Sequence, residues 1–269
     1  MAVELIFETR SKASLALSDS YIMIKRSGLH IIRNRDQLLG AFFQPIMFLV
    51  LFASVFGGAI SKALPPGVSY LNFLMAGIIV QTTAFGSTTT AIAVCNDLQK
   101  GIVDRFRSLP MSNLAVLNGH VVSDLFRNGI STIVMILAGL IIGFRPHASF
   151  TDWLVIAGIL ILFTLAFSWL SAIVGILAKS VEGVQWLTFV LVFPLTFAST
   201  AFVPSEGMNP VLKAFAVNQP ITQVVEAVRA LILGTPIGSH GWLAAGWSVG
   251  ILIISMPLAS WLFRRKTAS

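Results

Sequence analysis

The sequence predicts an all-α polytopic membrane protein with six transmembrane helices. Three observations carry this reading. Only 11% of the 269 residues are charged, against about 25% in a soluble globular domain. Uncharged runs extend over 37–61, 63–96, 128–144, 153–178, 183–205 and 230–263, and an apolar run of about 20 residues matches the hydrocarbon core of a bilayer. The runs are continuous, whereas strands of a transmembrane barrel would alternate.

Taken in order, residues 1–36 form a cytoplasmic N-terminal segment. Within it, 20–35 places Tyr21, Ile22, Ile24, Leu29, Ile31 and Ile32 on one side of a helical wheel. Arg26, His30, Arg33 and Asn34 fall on the other, with Lys25 intruding on the apolar side. This is the pattern of an amphipathic helix lying in the headgroup plane. The transmembrane domain covers 37–263. Span one (38–59) contains Gln44-Pro45, and the proline removes a backbone hydrogen bond. Span two (71–94) carries Gln81, Thr82 and Thr83. These side chains support two readings, hydrogen bonding between helices or a polar path for substrate.

Span three (124–144) starts at Asp124, with Arg127 snorkelling to the interface, so both anchor its cytoplasmic end. Span four (153–177) carries Trp153 and Trp169, span five (184–203) contains Pro194, and span six (242–263) ends before a cytoplasmic tail, 264–269. Gly139 and Gly143 in span three, and Gly246 and Gly250 in span six, have the small-xxx-small spacing that permits close helix contact. Between spans five and six, Asn209-Pro210 and Gln219-Pro220 each place proline at the first position of a short helix. Ile221, Val224, Val225, Val228, Leu231 and Ile232 make the second one amphipathic, and Gly234 ends it. Both are too short to cross, and they lie on the outer interface or dip in as a re-entrant pair. Glu226 and Arg229 pair at i, i+3; they are candidates for an outer gate or a structural ion pair.

The 18 Lys and Arg residues set the orientation. With both termini in the cytoplasm, 14 are inside and 4 outside, which is the distribution the positive-inside rule favours. The stretch between spans two and three, NDLQKGIVDRFRSLPMSN, is then cytoplasmic. Read as a helix from Asp97 to Leu109, capped by Asn96 or Asp97, it aligns Leu98, Ile102, Val103, Phe106 and Leu109 in one apolar stripe. Gln99, Lys100, Asp104, Arg105 and Arg107 take the other side, Pro110 ends the helix, and Ser112 or Asn113 can cap the next one, which leads into span three. The stripe needs a partner.

The stretch DLQKGIVDRFRSLPMSNLAVLNGHVVSDLFRN resembles the corresponding region of type-2 ABC exporter permeases, in particular the daunorubicin-resistance (multidrug) group. QPIMFLVLFASVFGGAI and NQPITQVVEAVRALILG resemble two further blocks of that family in the expected order. The resemblance implies six spans, an N-terminal amphipathic helix, and a role for 97–109 as a coupling helix docking on a separate ATPase subunit. The coupling residues it implies are Asp97, Leu98, Lys100, Ile102, Val103, Asp104, Arg105, Phe106 and Arg107. It also implies two ATPase subunits carrying ATP and Mg, a second permease subunit, identical or homologous, and the inner membrane of a prokaryotic cell. The family carries an acidic residue near the start of the coupling helix, where this chain has Asp97 and Gln99.

Several activities lack the residues they need. No G-x-x-x-x-G-K-[ST] occurs, so the chain holds no P-loop for ATP and no cofactor of its own. No H-E-x-x-H occurs, and the four histidines are scattered, which argues against a metal centre. No acidic pair lies within a span, as a proton-coupled carrier would show. The net charge of +7 follows membrane topology rather than a nucleic-acid surface. The lone Cys95 has no intrachain disulfide partner. The expected function is export of a hydrophobic or amphipathic substrate, a drug or lipid. The alternatives are export of a lipid-linked glycan or polymer, and a membrane scaffold or intramembrane enzyme independent of ATP.

Overall fold

The computed structural model describes residues 35–100 and 113–268, with side chains over 43–100 and 116–266. The amphipathic helix predicted over 20–35 lies outside them except for Arg35, as does the predicted coupling helix from residue 101 onward. The described residues are helices joined by turns, with no strand among them. In chain order they are α1 (Arg35–Ile60), α2 (Tyr70–Gly86), α3 (Thr88–Gln99), α4 (Asn113–Ile142), α5 (Phe150–Leu177), α6 (Val181–Phe197), α7 (Pro210–Asn218), α8 (Pro220–Leu233) and α9 (His240–Ala268). Single 3-10 turns follow α1 and precede α7.

Among the described residues, five helical stretches are long and apolar enough to cross a membrane: Phe43–Ala63, Tyr70–Gln99, Val116–Ile142, Phe150–Leu177 and His240–Lys266. The fifth predicted span is α6, with 17 residues, so a length criterion alone does not establish it as a crossing. Two thirds of the most apolar part of Tyr70–Gln99 and of Phe150–Leu177 are buried, against 6% for Phe43–Ala63. The second and fourth spans therefore form the centre, and α1 presents its apolar side chains outward. α5 packs against α9, α3, α4 and α8, and α6 packs against α3 and α5.

The local chemistry of the helix ends explains several boundaries. Ser149 accepts from the Asp152 amide at 3.3 Å while Asp152 accepts from the Ser149 amide at 2.8 Å, a reciprocal capping box that starts α5. Ser180 accepts from the Gly183 amide at 3.0 Å and starts α6. Pro210 and Pro220 both occupy first helical positions, as the two dipeptides predict, behind side-chain caps from Asn209 and Gln219. Gly234 ends α8 at φ 69°. The Thr235 amide donates to the Ala230 carbonyl at 2.9 Å and the Gly234 amide to Leu231 at 3.2 Å, the pair of bonds that a left-handed glycine makes possible.

Four sequence expectations are corrected. α4 begins at Asn113, where the sequence places the helix leading into span three, but it is one helix through Asp124, which therefore does not mark the end of the span. Residues 108–123 are themselves uncharged, and Asp124 and Arg127 neutralise one another, so the helix continues across them. The helix predicted to start at Asp97 does not: 97–99 is the last turn of α3, and the Lys100 amide closes it on Asn96 at 3.0 Å. α6 stops at Phe197 rather than 203, because residues 198–202 turn back into the core, where Thr200, Ala201 and Phe202 are buried. α9 runs through the predicted tail to Ala268 and absorbs Pro257.

The two glycine pairs differ: a Cβ on Gly139 would come within 2.8 Å of the Met75 side chain of α2, a close helix contact as the spacing predicts, while the pair in span six has none. A Cβ on Gly246 or Gly250 would meet nothing within 4 Å. The close backbone approaches are instead at Gly77, against the Ala201 backbone, and at Gly175, against the Ala91 backbone. A side chain at either position has no room.

Candidate functional site

Three polar clusters interrupt an otherwise apolar bundle. The first is at the Gln99 end of α3. Asp97, on the last turn, approaches His120 of α4 at 2.9 Å, and both side chains are nearly buried. Two residues on, Gln99 Nε2 donates to the Lys179 carbonyl at 2.8 Å. The end of α3 is thus tied to α4 and to the turn between α5 and α6. Of the predicted coupling residues, Asp97 makes this pair, Leu98 packs beside the Val94–Leu117–Trp169 cluster, and Lys100 is exposed. Ile102, Val103, Asp104, Arg105, Phe106 and Arg107 lie outside the described residues. Asp97 does not cap a helix start, because its carboxylate is engaged with His120 across the bundle.

The second cluster lies at a break in the second span. The Thr90 amide bonds Ser87, three residues back, at 3.0 Å, leaving the Gly86 carbonyl to other donors. Thr89 Oγ1 takes it at 2.9 Å and Arg127 Nη2 also donates to it. Arg127 forms an ion pair with Asp124, whose carboxylate accepts from Ser168 of α5 and lies 3.4 Å from the Thr89 hydroxyl of α3, which shares its one proton between Asp124 and Gly86. Asp124 is 3% exposed. Arg127 therefore folds inward instead of snorkelling, and the pair does not anchor a helix end. The sequence signal for this was present: two opposite charges at i, i+3 joining two uncharged runs, 108–123 and 128–144.

The third cluster is at the opposite end of the second span, near Tyr70. Here α8 is packed between α2, α5 and α9. The predicted Glu226–Arg229 pair is formed, with Nη1 to Oε1 at 2.6 Å. Arg229 does more than pair. Its Nε donates to the Phe73 carbonyl at 3.2 Å, and its Nη2 to the carbonyls of Thr200 at 2.7 Å and Ala201 at 3.3 Å. The Phe73 ring lies 3.5 Å from the guanidinium carbon. Burial lowers the Arg229 pKa more than the Glu226 carboxylate raises it, which leaves it at about 10. The group is therefore charged at neutral pH. A cavity of about 520 Å³ opens beside it, lined by Leu64, Pro65, Val68, Phe73, Glu206 and Glu226 among others.

Of the predicted path residues, Gln81, Thr82 and Thr83 are buried. Thr82 Oγ1 donates to the Ile78 carbonyl at 2.7 Å and Thr83 Oγ1 to Ile79 at 3.0 Å. Their own helix takes both hydroxyl protons. Rings form a ladder along α6: Trp186–Phe189 at 6.3 Å, Phe189–Phe193 at 4.7 Å and Phe193–Phe197 at 4.2 Å. It continues through Phe202 at 5.1 Å to Phe52 of α1 at 4.7 Å. Among the described residues, no group of three His, Cys, Asp or Glu could hold a metal ion.

This arrangement can be set beside known proteins. The daunorubicin resistance ABC transporter permease protein DrrB1 of Streptomyces coeruleorubidus is 31% identical over 232 residues, covering 86% of this chain and 81% of that protein. The probable doxorubicin resistance ABC transporter permease protein DrrC of Mycobacterium tuberculosis is 23% identical over 263 residues, covering 96% and 93%. The inner membrane transport permease YadH of Escherichia coli is 21% identical over 196 residues, covering 71% and 74%. The ABC-2 type transporter family matches residues 19–233, a stretch holding all three polar clusters and α1 to α8. With long apolar helices and buried polar junctions, this is an integral membrane protein that belongs to the ABC-2 type transporter family.

Proposed function

We propose that the chain is the permease subunit of an ABC exporter that moves a hydrophobic or amphipathic substrate, a drug or lipid, outward across a prokaryotic inner membrane. The carrying observation is the likeness, over most of both chains, to a protein named as a daunorubicin resistance permease. In this reading α6 also crosses, which makes six spans, and both termini are cytoplasmic. Energy comes from two separate ATPase subunits that hold ATP and Mg, and a second permease, identical or homologous, completes the pathway. The 97–109 segment docks on the ATPase through Ile102, Val103 and Phe106, with Lys100, Asp104, Arg105 and Arg107 at its rim. Motion enters the bundle at the end of α3, through the Asp97–His120 and Gln99–Lys179 contacts. Gln81, Thr82 and Thr83 face the substrate path, and the cavity beside Glu226 and Arg229 forms the outer mouth.

The test is co-purification with the ATPase subunit. Phe106→Ala with Arg107→Ala is expected to leave the permease folded and to abolish permease-stimulated ATP hydrolysis. Normal assembly and stimulation in that double variant would remove the coupling role.

The ring ladder from Trp186 to Phe52 favours a second reading, export of a lipid-linked glycan or polymer. Trp186 and Phe189, both exposed on α6, offer aromatic faces against which a sugar ring could stack.

A further inference from the structure

We propose that Asp124 and Arg127 are positioning residues for transport. They hold the break in the second span, so that movement at the Gln99 end of α3 passes to the rest of the bundle through α4. The inference rests on the exporter reading and deepens it.

The two halves of the second span are fastened to different neighbours. In α2, the Gly77 backbone abuts the backbone at Ala201, the Phe73 carbonyl accepts from Arg229, and Asn72 bonds the backbone of Arg145 in both directions at 2.9 and 3.0 Å. In α3, the Ala91 backbone abuts Gly175 of α5, and Gln99 bonds the Lys179 carbonyl. Ser87, at the junction, meets Ser171 of α5 at 2.9 Å. A load applied at Gln99 therefore reaches α5 directly, and the junction is where it passes along the second span itself into α2, which also touches α5 and α6.

At that junction a helical carbonyl, Gly86, lacks its own amide donor and is bound by Thr89 and Arg127. Arg127 is held by Asp124, and Asp124 also takes Ser168 of α5 and shares the Thr89 hydroxyl proton of α3 with Gly86. One carboxylate thus joins three helices. Breaks in helices are absorbed where side chains re-satisfy the freed backbone groups. Around this one the polar groups are incompletely paired. Ser123 Oγ and Asn128 Nδ2, both on α4 and both buried, have no hydrogen-bond partner among the described residues. Such groups carry a desolvation cost, which a shifted position of α3 that re-pairs them would relieve. A load-bearing element with two arrangements is what coupling between distant sites requires.

The test uses spin labels at two positions outside the docking segment, the exposed Lys62→Cys after α1 and the half-buried Ala93→Cys on α3, in a Cys95→Ser background. The permease is placed in phosphatidylethanolamine–phosphatidylglycerol vesicles, alone and with its ATPase subunit. The native junction is expected to give one narrow distance that shifts with ATP and vanadate. Arg127→Ala and Asp124→Asn are expected to broaden the distance in the permease alone. They should also reduce the nucleotide-driven redistribution about tenfold, while complexes still assemble and hydrolyse ATP. Arg127→Lys should restore both. Native distances and shifts in Arg127→Ala overturn the proposal. So does loss of assembly in Arg127→Ala and Arg127→Lys alike, which marks a purely structural role. If the native permease neither binds nor stimulates the ATPase, the exporter reading falls, while the vesicle measurement without ATPase still decides the junction.

Discussion

The guanidinium of Arg229 lies over the ring of Phe73, 3.5 Å from its centroid, and donates to that residue's own carbonyl at 3.2 Å. One residue therefore holds another by side chain and backbone together, across 156 positions of sequence. Through its other nitrogens Arg229 reaches Glu226, Thr200 and Ala201. This fastens α8 to α2 and to the turn that follows α6.

Arg229→Ala is expected to destabilise the permease by about 3 kcal/mol, since removing one partner strands the other polar groups. Arg229→Lys keeps the charge but not the planar fork, so it should recover only part of the loss. Thermal unfolding in detergent, followed by tryptophan fluorescence, measures both. A wild-type midpoint for Arg229→Ala would show that the contacts contribute little.

Gly175 and Gly246 make a contrasting pair. A Cβ at Gly175 would run into the Ala91 backbone, whereas one at Gly246 meets open space. Gly175→Ala is expected to cost about 1–3 kcal/mol through overpacking. Gly246→Ala should stay within about 0.5 kcal/mol. Equal effects in the same unfolding assay would contradict this packing.

Asp97 and His120 are both nearly buried, so their interaction should be measurable. A double-mutant cycle with Asp97→Asn and His120→Gln should return a coupling of about 0.5–1 kcal/mol. The same variants should weaken stimulation of the ATPase subunit more than they weaken its binding. Additive effects in the cycle would leave the end of α3 without this tie.

The ring ladder separates the two cargo readings. Phe189→Leu with Phe193→Leu preserves apolar bulk and removes the stacking faces. Vesicle uptake of daunorubicin should persist in that variant if the cargo is a drug or lipid. If the cargo is a glycan, resistance to the drug is unaffected by the permease from the outset, and export of a fluorescent lipid-linked oligosaccharide falls.

Much of the fold was legible because its determinants are local. Asn209-Pro210, Gln219-Pro220 and Gly234 mark helix ends through backbone geometry that each residue carries with it, and the structure has helix boundaries at all three. Glu226 and Arg229 meet because three residues along a helix is nearly one turn. The Asp124–Arg127 pair shows where this reasoning stops. A charge-free run is a sound marker of a span, but two charges that cancel leave no trace in it. The span was therefore expected to begin at Asp124, well inside a helix that starts at Asn113. Asp97 is similar: as a cap or as the last turn of a longer helix, the same residue suits either local structure, and His120 decided between them.

The sequence by itself determined an α-helical membrane protein, the approximate place of its long helices, and the start and stop of α8. Those properties follow from transfer of side chains to hydrocarbon and from restricted backbone angles, which act over a few residues. Tertiary structure alone decided that Arg127 turns inward onto Gly86, that Arg229 reaches Phe73, and that Gly175 rather than Gly246 is the close contact. Each is a choice of partner among many chemically equivalent groups, and only the packing of distant helices brings one of them within reach.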